Sequence, residues 1–394
     1  MIRPIQTSVS SNKIVLHRPL NTALSLALGA QRLSNPNPRV GCVIGDADYA
    51  IGEGHTQAAG GPHAEVMALR HAREQGHDTA GATAYVTLEP CSHHGRTPPC
   101  CDALIAAGVA KVVIATLDPN PLVAGEGAER LRAAGIAVEV LPPDSAEAIA
   151  SRELNIGFFS RMVRGTPWVR LKTAMSLDGT TALNNGASQW ITGEAARADG
   201  HAWRARACAV LTGIGTVRDD DPMLDVRLVE TPRQPHLVIV DSRLETPPTA
   251  RLFAQTTPQR RIFIYCAVHN AERKAALEAL GAVVIHMPGT APGTDNKVDL
   301  AAMLKDLGRR EVNELHVEAG HKLHGSLIRE GLADELLTYV APSVLGPGIG
   351  MAALMPQTAL KDGTHLRFVS VDRIGDDLRI VSRVNGHGDF LHAR

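Results

Sequence analysis

The chain has 394 residues, of which 44% are hydrophobic and 21% charged, and its formal net charge at pH 7 is -1. This length exceeds one usual hydrophobic core and predicts about two domains. The balanced charge provides no basic field for a polyanion, and an aromatic content of 3% offers few platforms for stacking bases, so we expect no nucleic-acid partner. A small-molecule substrate is the expectation instead.

The six cysteines are too sparse for a disulfide framework and indicate a reducing compartment, so we expect a cytoplasmic protein. The first twenty residues lack the apolar core of a secretory signal. No run of the sequence approaches a membrane span in length, so we expect no membrane partner. The sequence leaves open whether the chain forms a homo-oligomer.

Strand-like runs alternate with Ala/Leu-rich helical stretches along the chain, a pattern typical of an α/β fold. After a loosely ordered extension over residues 1–18, a first domain is predicted over residues 19–165. Its predicted strands are 40–44, 83–88, 111–116 and 136–141, and its predicted helices are 20–31, 62–75, 100–107, 127–134 and 144–162.

A second domain is predicted over residues 166–394, after a break at 164–167. Its predicted strands are 168–173, 207–211, 236–240, 261–265, 282–286, 314–317, 336–340 and one near 379–382. We find no internal repeat, so the two series are different domains.

Four residues in the first domain have the types expected of a zinc-dependent deaminase. His63, Cys91 and Cys100 are zinc-type ligands, and three protein ligands leave one position for the water that a catalytic zinc acidifies. Glu65 lies beside the first ligand and has the chemistry of a proton shuttle between water and leaving ammonia. The cysteines are nine residues apart, whereas the general zinc-deaminase signature has C-x-x-C.

Local sequence places these residues where ligands are favoured. Pro62 suits the first position of a helix, so His63 and Glu65 are predicted in its opening turn. Cys91 follows a strand, and Cys100 begins the next helix, where a thiolate is stabilised. A structural zinc with Cys101 or His93 as fourth ligand, in a non-catalytic scaffold, is the alternative.

The segments 35–41, 62–66 and 87–100 resemble the deaminase half of the bifunctional riboflavin-biosynthesis deaminase/reductase family, including its nine-residue cysteine spacing. The resemblance implies a cytidine-deaminase-like αβα domain in which one catalytic Zn²⁺ is bound by His63, Cys91 and Cys100 and Glu65 transfers protons. It also implies substrate contacts at Asn37, His55, His93, Arg96, Asp118 and Asn120.

Three strand-to-turn junctions in the second domain could face a dinucleotide. Residues 211–217 and 317–326 each place glycines after a strand and before a helix, although turns needed only for packing are the alternative. Asp241 and Arg243 follow a third strand, so chemistry alone does not choose between NAD and NADP. The acidic run 219–222 is interpreted as a capped turn.

The segments 171–179, 188–192, 215–222 and 317–320 are similar to the reductase half of the same family, whose fold resembles dihydrofolate reductase. The resemblance implies NADPH contacts at Ala174, Trp190, Thr216, Asp220, Ser242, Gly320, His321, Lys322, Leu323, His324, Gly325 and Ser326. It implies substrate contacts at Lys172, Ser188, Arg204, Leu224, Arg227 and Glu318, with Lys172 as a candidate neighbour of Glu318.

The implied function is a two-step reaction of riboflavin biosynthesis. The first half would deaminate 2,5-diamino-6-(5-phosphoribosylamino)pyrimidin-4(3H)-one, and the second would reduce the ribosyl group of the product to ribityl with NADPH. Arg204 and Arg227 are assigned to the substrate phosphate, and no motif identifies the proton donor. The alternative is a zinc deaminase of a nucleoside or tRNA base whose second half is a non-catalytic binding module.

Overall fold

The structure is a computed structural model that describes residues 18–93, 95, 98–120, 123–257 and 259–391. Residues 1–17 of the predicted extension and the predicted substrate contact Arg96 lie outside these ranges. Two separate β-sheets organise the described chain, one of five strands and one of nine.

The first sheet is built from residues 41–140. Its strands are β1 (Gly41–Gly45), β2 (Ala50–His55), β3 (Thr83–Val86), β4 (Lys111–Ile114) and β5 (Ala137–Val140). They lie in the order β2-β1-β3-β4-β5, in which β3, β4 and β5 are parallel and β1 is antiparallel to both of its neighbours.

Helices cover both faces of this sheet. They are α1 (Arg18–Gly29), α2 (Ala64–Glu74), α3 (Cys100–Ala106), α4 (Glu126–Ala133), α5 (Ala146–Leu154) and α6 (Ile156–Arg164). Alternate residues of β1 belong to different cores: Cys42 and Ile44 pack with α2 and α3, whereas Val43 packs with α1. The predicted αβα layering is therefore confirmed.

Strand β2 was missed from the sequence because its glycines lower strand propensity. A Cβ atom at Gly52 would lie 2.3 Å from the Ala68 carbonyl oxygen, and one at Gly54 would lie 2.5 Å from the Ala68 nitrogen. These two glycines let helix α2 pack directly on the sheet, which fixes the position of the helix start that carries Glu65.

The single helix predicted over 144–162 is wrong, because the structure has two helices separated at Asn155. The Asn155 side chain accepts a hydrogen bond from Arg39 N at 2.7 Å and donates one to Arg39 O at 2.9 Å. This pair of bonds attaches the helix junction to the segment before β1. Helix α6 ends at Gly165, whose φ is 73°, at the predicted break.

The second sheet is built from residues that follow helix α6 in the chain. Its strands are β6 (Trp168–Ser176), β7 (Ala209–Gly213), β8 (His236–Val240), β9 (Ile262–Cys266), β10 (Ala282–His286), β11 (Glu314–Val317), β12 (Glu335–Ala341), β13 (Leu366–Ile374) and β14 (Asp377–Val384). Their order is β10-β9-β8-β7-β11-β6-β12-β14-β13, and β14 alone runs antiparallel to both of its neighbours, whereas all other neighbouring pairs are parallel.

The helices of this half are α7 (Glu194–Arg206), α8 (Ile214–Asp220), α9 (Ala271–Ala279), α10 (Leu300–Arg309) and α11 (His321–Arg329), with short 3₁₀ turns at Arg251–Gln255, Leu360–Asp362 and Asp389–Leu391. The sequence missed edge strand β13, whose side chains are largely exposed, as Phe368 at 72% shows. Within the described ranges no helix is long and apolar enough to cross a membrane.

Candidate active sites

The first site lies where the parallel strands of the five-stranded sheet end. Helix α2 begins at Ala64, so His63 is its N-cap residue rather than part of its first turn, and Glu65 lies in that turn. Cys100 is the first residue of α3. Cys91 lies in the loop that follows β3, so three elements bring these side chains to one place.

The three predicted ligands form a compact donor set. Cys91 Sγ lies 3.7 Å from His63 Nδ1, and Cys100 Sγ lies 3.2 Å from the same nitrogen. All three donor atoms are within 4.8 Å of one another. One imidazole nitrogen and two sulfur atoms fit the ligand chemistry of zinc and leave one position for water or substrate.

Cys101, the alternative fourth ligand, faces away from this set. Its thiol lies 3.3 Å from the Pro90 carbonyl oxygen and 3.5 Å from that of Gly127, and donates to both. His93, the other alternative, is exposed. Among the described residues the metal-type cluster contains three side chains, as a catalytic rather than a structural zinc requires.

Electrostatics in this site favour a thiolate and a carboxyl group that can exchange protons. Hydrogen bonds from Cys100 and from His63 hold the pKa of the Cys91 thiol well below its usual range, although burial opposes this. Burial, and then the negative charge of Cys91, raises the pKa of Glu65 to about 7. A carboxyl group with a pKa near neutrality is suited to general acid–base work.

Glu89 is a buried carboxylate to which sequence reasoning gave no role. It accepts hydrogen bonds from the backbone N–H groups of Asp118 at 3.1 Å, Gly125 at 3.0 Å and Ala128 at 3.0 Å. It thereby caps helix α4 and fixes the loop after β4. Its signal in the sequence is an acidic residue at the end of a buried strand.

The other predicted substrate contacts of this half lie around the same edge. Asp118 is buried after β4, and burial raises the pKa of its carboxyl group to about 7. Its Oδ1 accepts a hydrogen bond from Asn120 N at 2.8 Å. His55 ends β2 and is half-buried, and Asn37 lies in the segment that leads into β1.

The second site contains a buried ion pair between α7 and the end of β11. Arg204 donates to both carboxylate oxygens of Glu318, with NH2 2.8 Å from Oε2. Lys172 Nζ on β6 lies 4.0 Å from Glu318 Oε2, as the sequence predicted for these neighbours. Burial opposes ionisation of Glu318, but the charge and hydrogen bonds of Arg204 hold its pKa well below the usual range.

Arg204 and Arg227, both assigned to a substrate phosphate, have different surroundings. The remaining Arg204 NH1 group donates to Asp225 O at 2.9 Å, so its donors face protein acceptors. Arg227 pairs with Asp225 at 2.5 Å while 51% of its side chain stays exposed. Leu224 is buried, and its carbonyl oxygen accepts from Arg260 at 3.1 Å.

Two helix N-termini meet at the carboxyl ends of β7 and β11, which are parallel neighbours. Gly213 is the N-cap of α8 and Gly320 the N-cap of α11. A Cβ atom at Gly213 would lie 3.4 Å from Leu323, so the two turns are adjacent. Exposed N–H groups at helix starts favour phosphate, and the predicted contact Thr216 lies in the first turn of α8.

Predicted cofactor contacts within 320–326 do not all face open space. His324 is buried and its Nδ1 lies 3.2 Å from Met351 O, while a Cβ atom at Gly325 would lie 2.3 Å from Ala353 O. Lys322 is exposed. The remaining predicted residues include an exposed pair, Ser188 and Trp190, together with Ala174 on β6, Asp220 at the end of α8 and Ser242 after β8.

A buried carboxyl group beside a His/Cys/Cys cluster on an αβα domain is the arrangement of a zinc deaminase. The paired helix N-termini of the second sheet suit the phosphates of a nucleotide cofactor. Two family models match the chain. The cytidine and deoxycytidylate deaminase zinc-binding region covers residues 17–116, and the RibD C-terminal domain covers residues 167–380.

Whole-length relatives agree with both models. The chain is 43% identical to riboflavin biosynthesis protein RibD of Escherichia coli over 370 residues, which cover 90% of the chain and 96% of that protein. It is 39% identical to RibD of Aquifex aeolicus, over 92% of the chain and 96% of that protein.

Solved structures agree as well. RibD of Acinetobacter baumannii has a TM-score of 0.81 and 39% identity over 93% of this chain and 98% of that one. A diaminohydroxyphosphoribosylaminopyrimidine deaminase/5-amino-6-(5-phosphoribosylamino)uracil reductase of Thermotoga maritima has a TM-score of 0.80 and 31% identity over 93% and 97%. The chain belongs to the RibD family of bifunctional riboflavin-biosynthesis enzymes, with a zinc-binding deaminase domain and an NADPH-dependent reductase domain.

Proposed function

We propose that residues 19–165 deaminate 2,5-diamino-6-(5-phosphoribosylamino)pyrimidin-4(3H)-one to 5-amino-6-(5-phosphoribosylamino)uracil. We further propose that residues 166–394 reduce the ribosyl group of that product to ribityl. The observation that carries the first step is the cluster of His63, Cys91 and Cys100 with Glu65 buried beside it. Matches to the family in both halves disfavour a nucleoside or tRNA deaminase with a non-catalytic second half.

In the deaminase site, His63, Cys91 and Cys100 are the proposed zinc ligands. Zinc held by these residues would lower the pKa of a bound water toward neutrality. Glu65 takes a proton from the attacking water and delivers it to the exocyclic 2-amino group of the pyrimidine. Water is thereby added and ammonia leaves. Glu65 is buried beside the proposed ligands, where one carboxyl group can accept a proton from water and then release it.

The loop after β4 is proposed to hold the pyrimidine. Asp118 and Asn120 are the proposed contacts there, and Glu89 supports them by fixing the backbone of this loop. Asn37, His55, His93 and Arg96 are the further proposed substrate contacts. These assignments rest on the position of the described residues at the edge of the sheet that carries Cys91.

In the reductase site, the helix starts at Gly213 and Gly320 are proposed to bind the phosphates of NADPH, which supplies the hydride for C1′ of the ring-opened sugar. Thr216 and the exposed Lys322 join this part of the site. Ala174, Trp190, Asp220, Ser242 and the remaining residues of 320–326 complete the proposed cofactor site.

Substrate binding in the reductase is proposed for Lys172, Ser188, Arg204, Leu224, Arg227 and Glu318. Arg227 is the better phosphate ligand, because its side chain is half exposed. Arg204 orients the Glu318 carboxylate and keeps it ionised. Leu224 is buried, so it would contribute by packing rather than by a polar contact.

One experiment tests both halves. The zinc-loaded protein is given the diamino pyrimidine phosphate, and ammonia release is followed with and without a zinc chelator. The proposal predicts ammonia release that the chelator abolishes, while NADPH oxidation with supplied 5-amino-6-(5-phosphoribosylamino)uracil continues. Ammonia release from a free nucleoside or a tRNA, with none from the pyrimidine phosphate, would favour the alternative substrate class. A cytoplasmic location and the absence of nucleic-acid and membrane partners stay predictions from composition.

A further inference from the structure

Residues 35–39, which lead into the deaminase sheet, contact side chains and a backbone carbonyl of the reductase half. We propose that Asn313 is a positioning residue for deamination: its side-chain amide fixes this segment and thereby places Asn37 for substrate binding. The proposal rests on the proposed function, in which Asn37 contacts the pyrimidine substrate. It makes substrate binding by the first enzyme depend on the second domain.

Asn313, which precedes β11 in the reductase half, contacts the deaminase half through both ends of its side-chain amide. Its Nδ2 donates to the Pro36 carbonyl oxygen at 2.8 Å, and its Oδ1 accepts from Arg161 Nε at 2.6 Å. An arginine side chain can only donate, so the amide oxygen must face Arg161 and the NH₂ group must face Pro36. Asn313 is 3% exposed, so both ends of its amide depend on these protein partners.

Two further contacts with the reductase half, one to helix α7 and one to strand β11, fix the ends of the segment. Asn35 Nδ2 donates to the Arg206 carbonyl oxygen, at the end of α7, at 3.0 Å. Arg39 NH1 lies 2.6 Å from Glu314 Oε1 at the start of β11. Helix α7 and strand β11 thus hold residues 35 and 39, and Asn313 holds the residue beside Asn37.

Asn37 borders the junction together with its neighbours in this segment. Together with Asn35 and Arg39 it lines a small polar cavity whose other walls include Asn313 and Glu314. Its backbone is bound locally, since Asn37 N donates to Ser34 O at 2.8 Å. A shift of Pro36 therefore moves Asn37, because the two are adjacent in one short turn.

The segment also adjoins the zinc-type cluster through the sheet. Gly41 N, at the start of β1, donates to Thr87 Oγ1 at 3.1 Å. Thr87 lies in the connection between β3 and Cys91. Residues 35–39 therefore enter the sheet at the edge where Cys91 lies, and a contact made by the reductase half reaches the deaminase site within a few residues.

The test uses two variants of the full-length, zinc-loaded protein. Asn313→Ala removes the whole amide. Asn313→Asp keeps its size and the oxygen that accepts from Arg161, and it loses the donor to Pro36. Each is expected to raise the KM of deamination by about 10-fold, as loss of one buried hydrogen bond predicts, with a smaller change in kcat. Zinc content and NADPH oxidation with supplied deaminated product should stay at wild-type values.

Glu153→Gln is the matched control. Glu153 in α5 pairs with Arg383 of the reductase half at 2.8 Å through both oxygens, so this variant weakens the same interface without touching residues 35–39. Its deaminase KM should stay within about 2-fold of wild type, as is usual for a partly exposed ion pair. The proposal is overturned if the Asn313 variants deaminate with the wild-type KM or if Glu153→Gln raises KM as much. A wild-type protein that releases no ammonia from the pyrimidine phosphate overturns the proposed function itself.

Discussion

The guanidinium of Arg39 lies 2.6 Å from Glu314 and joins the two halves of the chain through a buried ion pair. The other carboxylate oxygen of Glu314 faces Arg170 NH1 at 2.9 Å and Arg206 Nε at 2.7 Å. Burial opposes ionisation of this carboxyl group, but the three arginines hold its pKa below the usual range. The Glu314 carboxylate therefore pairs with arginines from both halves of the chain.

Glu314→Gln should destabilise the protein by about 3–5 kcal/mol at pH 7, because it removes the counter-charge that faces buried Arg39 and Arg206. The folded-state pKa lies below the unfolded value of 4.5, so the stabilisation is complete above that pH and decreases as the pH falls toward the folded-state pKa. The difference in free energy of unfolding between wild type and variant should therefore shrink below about pH 4.5. Urea unfolding at several pH values measures it.

A control for this prediction is Glu278→Gln, which removes an exposed partner of Lys274 at 3.7 Å. An exposed pair contributes about 0–1 kcal/mol, so its loss should have little effect at any pH. If Glu314→Gln and Glu278→Gln lower the free energy of unfolding equally, the buried ion pairs of Glu314 do not stabilise the protein as predicted.

Glu65→Gln should lower kcat for deamination by about 10²–10⁴-fold, because the amide cannot carry a proton between water and the leaving amine. Bound zinc should persist, which metal analysis checks. Glu74→Gln, at the exposed end of the same helix, is the control and should retain wild-type turnover. Deamination at the wild-type rate by Glu65→Gln would remove Glu65 from the mechanism.

Adjacent cysteines allow a direct test of the ligand set. Cys100→Ala should lose zinc and ammonia release, whereas Cys101→Ala should keep both, since the Cys101 thiol donates to the carbonyls of Pro90 and Gly127. Zinc content after dialysis is the measurement. If Cys101→Ala also loses zinc, a four-ligand structural site replaces the catalytic one.

Glu318→Gln should impair reduction alone. It removes the charge that faces Arg204 and Lys172, and kcat/KM for NADPH oxidation should fall by at least about 10-fold. Ammonia release from the diamino substrate should continue, which separates the two sites. Glu330→Gln, at the end of α11, is the control substitution. A parallel loss of both activities in Glu318→Gln would point to a folding defect.

The sequence predicted elements with strong local signals. Strands 236–240, 282–286 and 314–317 have the predicted bounds, and the helix starts near Glu65 and Cys100 lie within two residues of those expected. It missed β2, since glycines that permit close packing of α2 lower strand propensity. It also missed the interruption at Asn155, because the hydrogen bonds that cause it come from Arg39, far away in sequence.

The sites likewise contain features with a local sequence signal and features that depend on contacts between distant residues. The zinc-type cluster was predictable because residue type and spacing carry its chemistry, and the pairing of Lys172 with Glu318 followed from the resemblance. The role of Glu89 depends on three backbone N–H groups from a distant loop, and that of Asn313 on a carbonyl 277 residues away. Neither contact has a local sequence signature.

The central claim is that two sites in one chain act in sequence, and one assay with Glu65→Gln tests it most directly. Wild-type protein given the diamino pyrimidine phosphate and NADPH should release ammonia and oxidise NADPH in equal amounts. Glu65→Gln should do neither, and supplied 5-amino-6-(5-phosphoribosylamino)uracil should restore its NADPH oxidation to the wild-type rate. NADPH oxidation by Glu65→Gln with the diamino substrate alone, or none with the supplied product, would contradict the account.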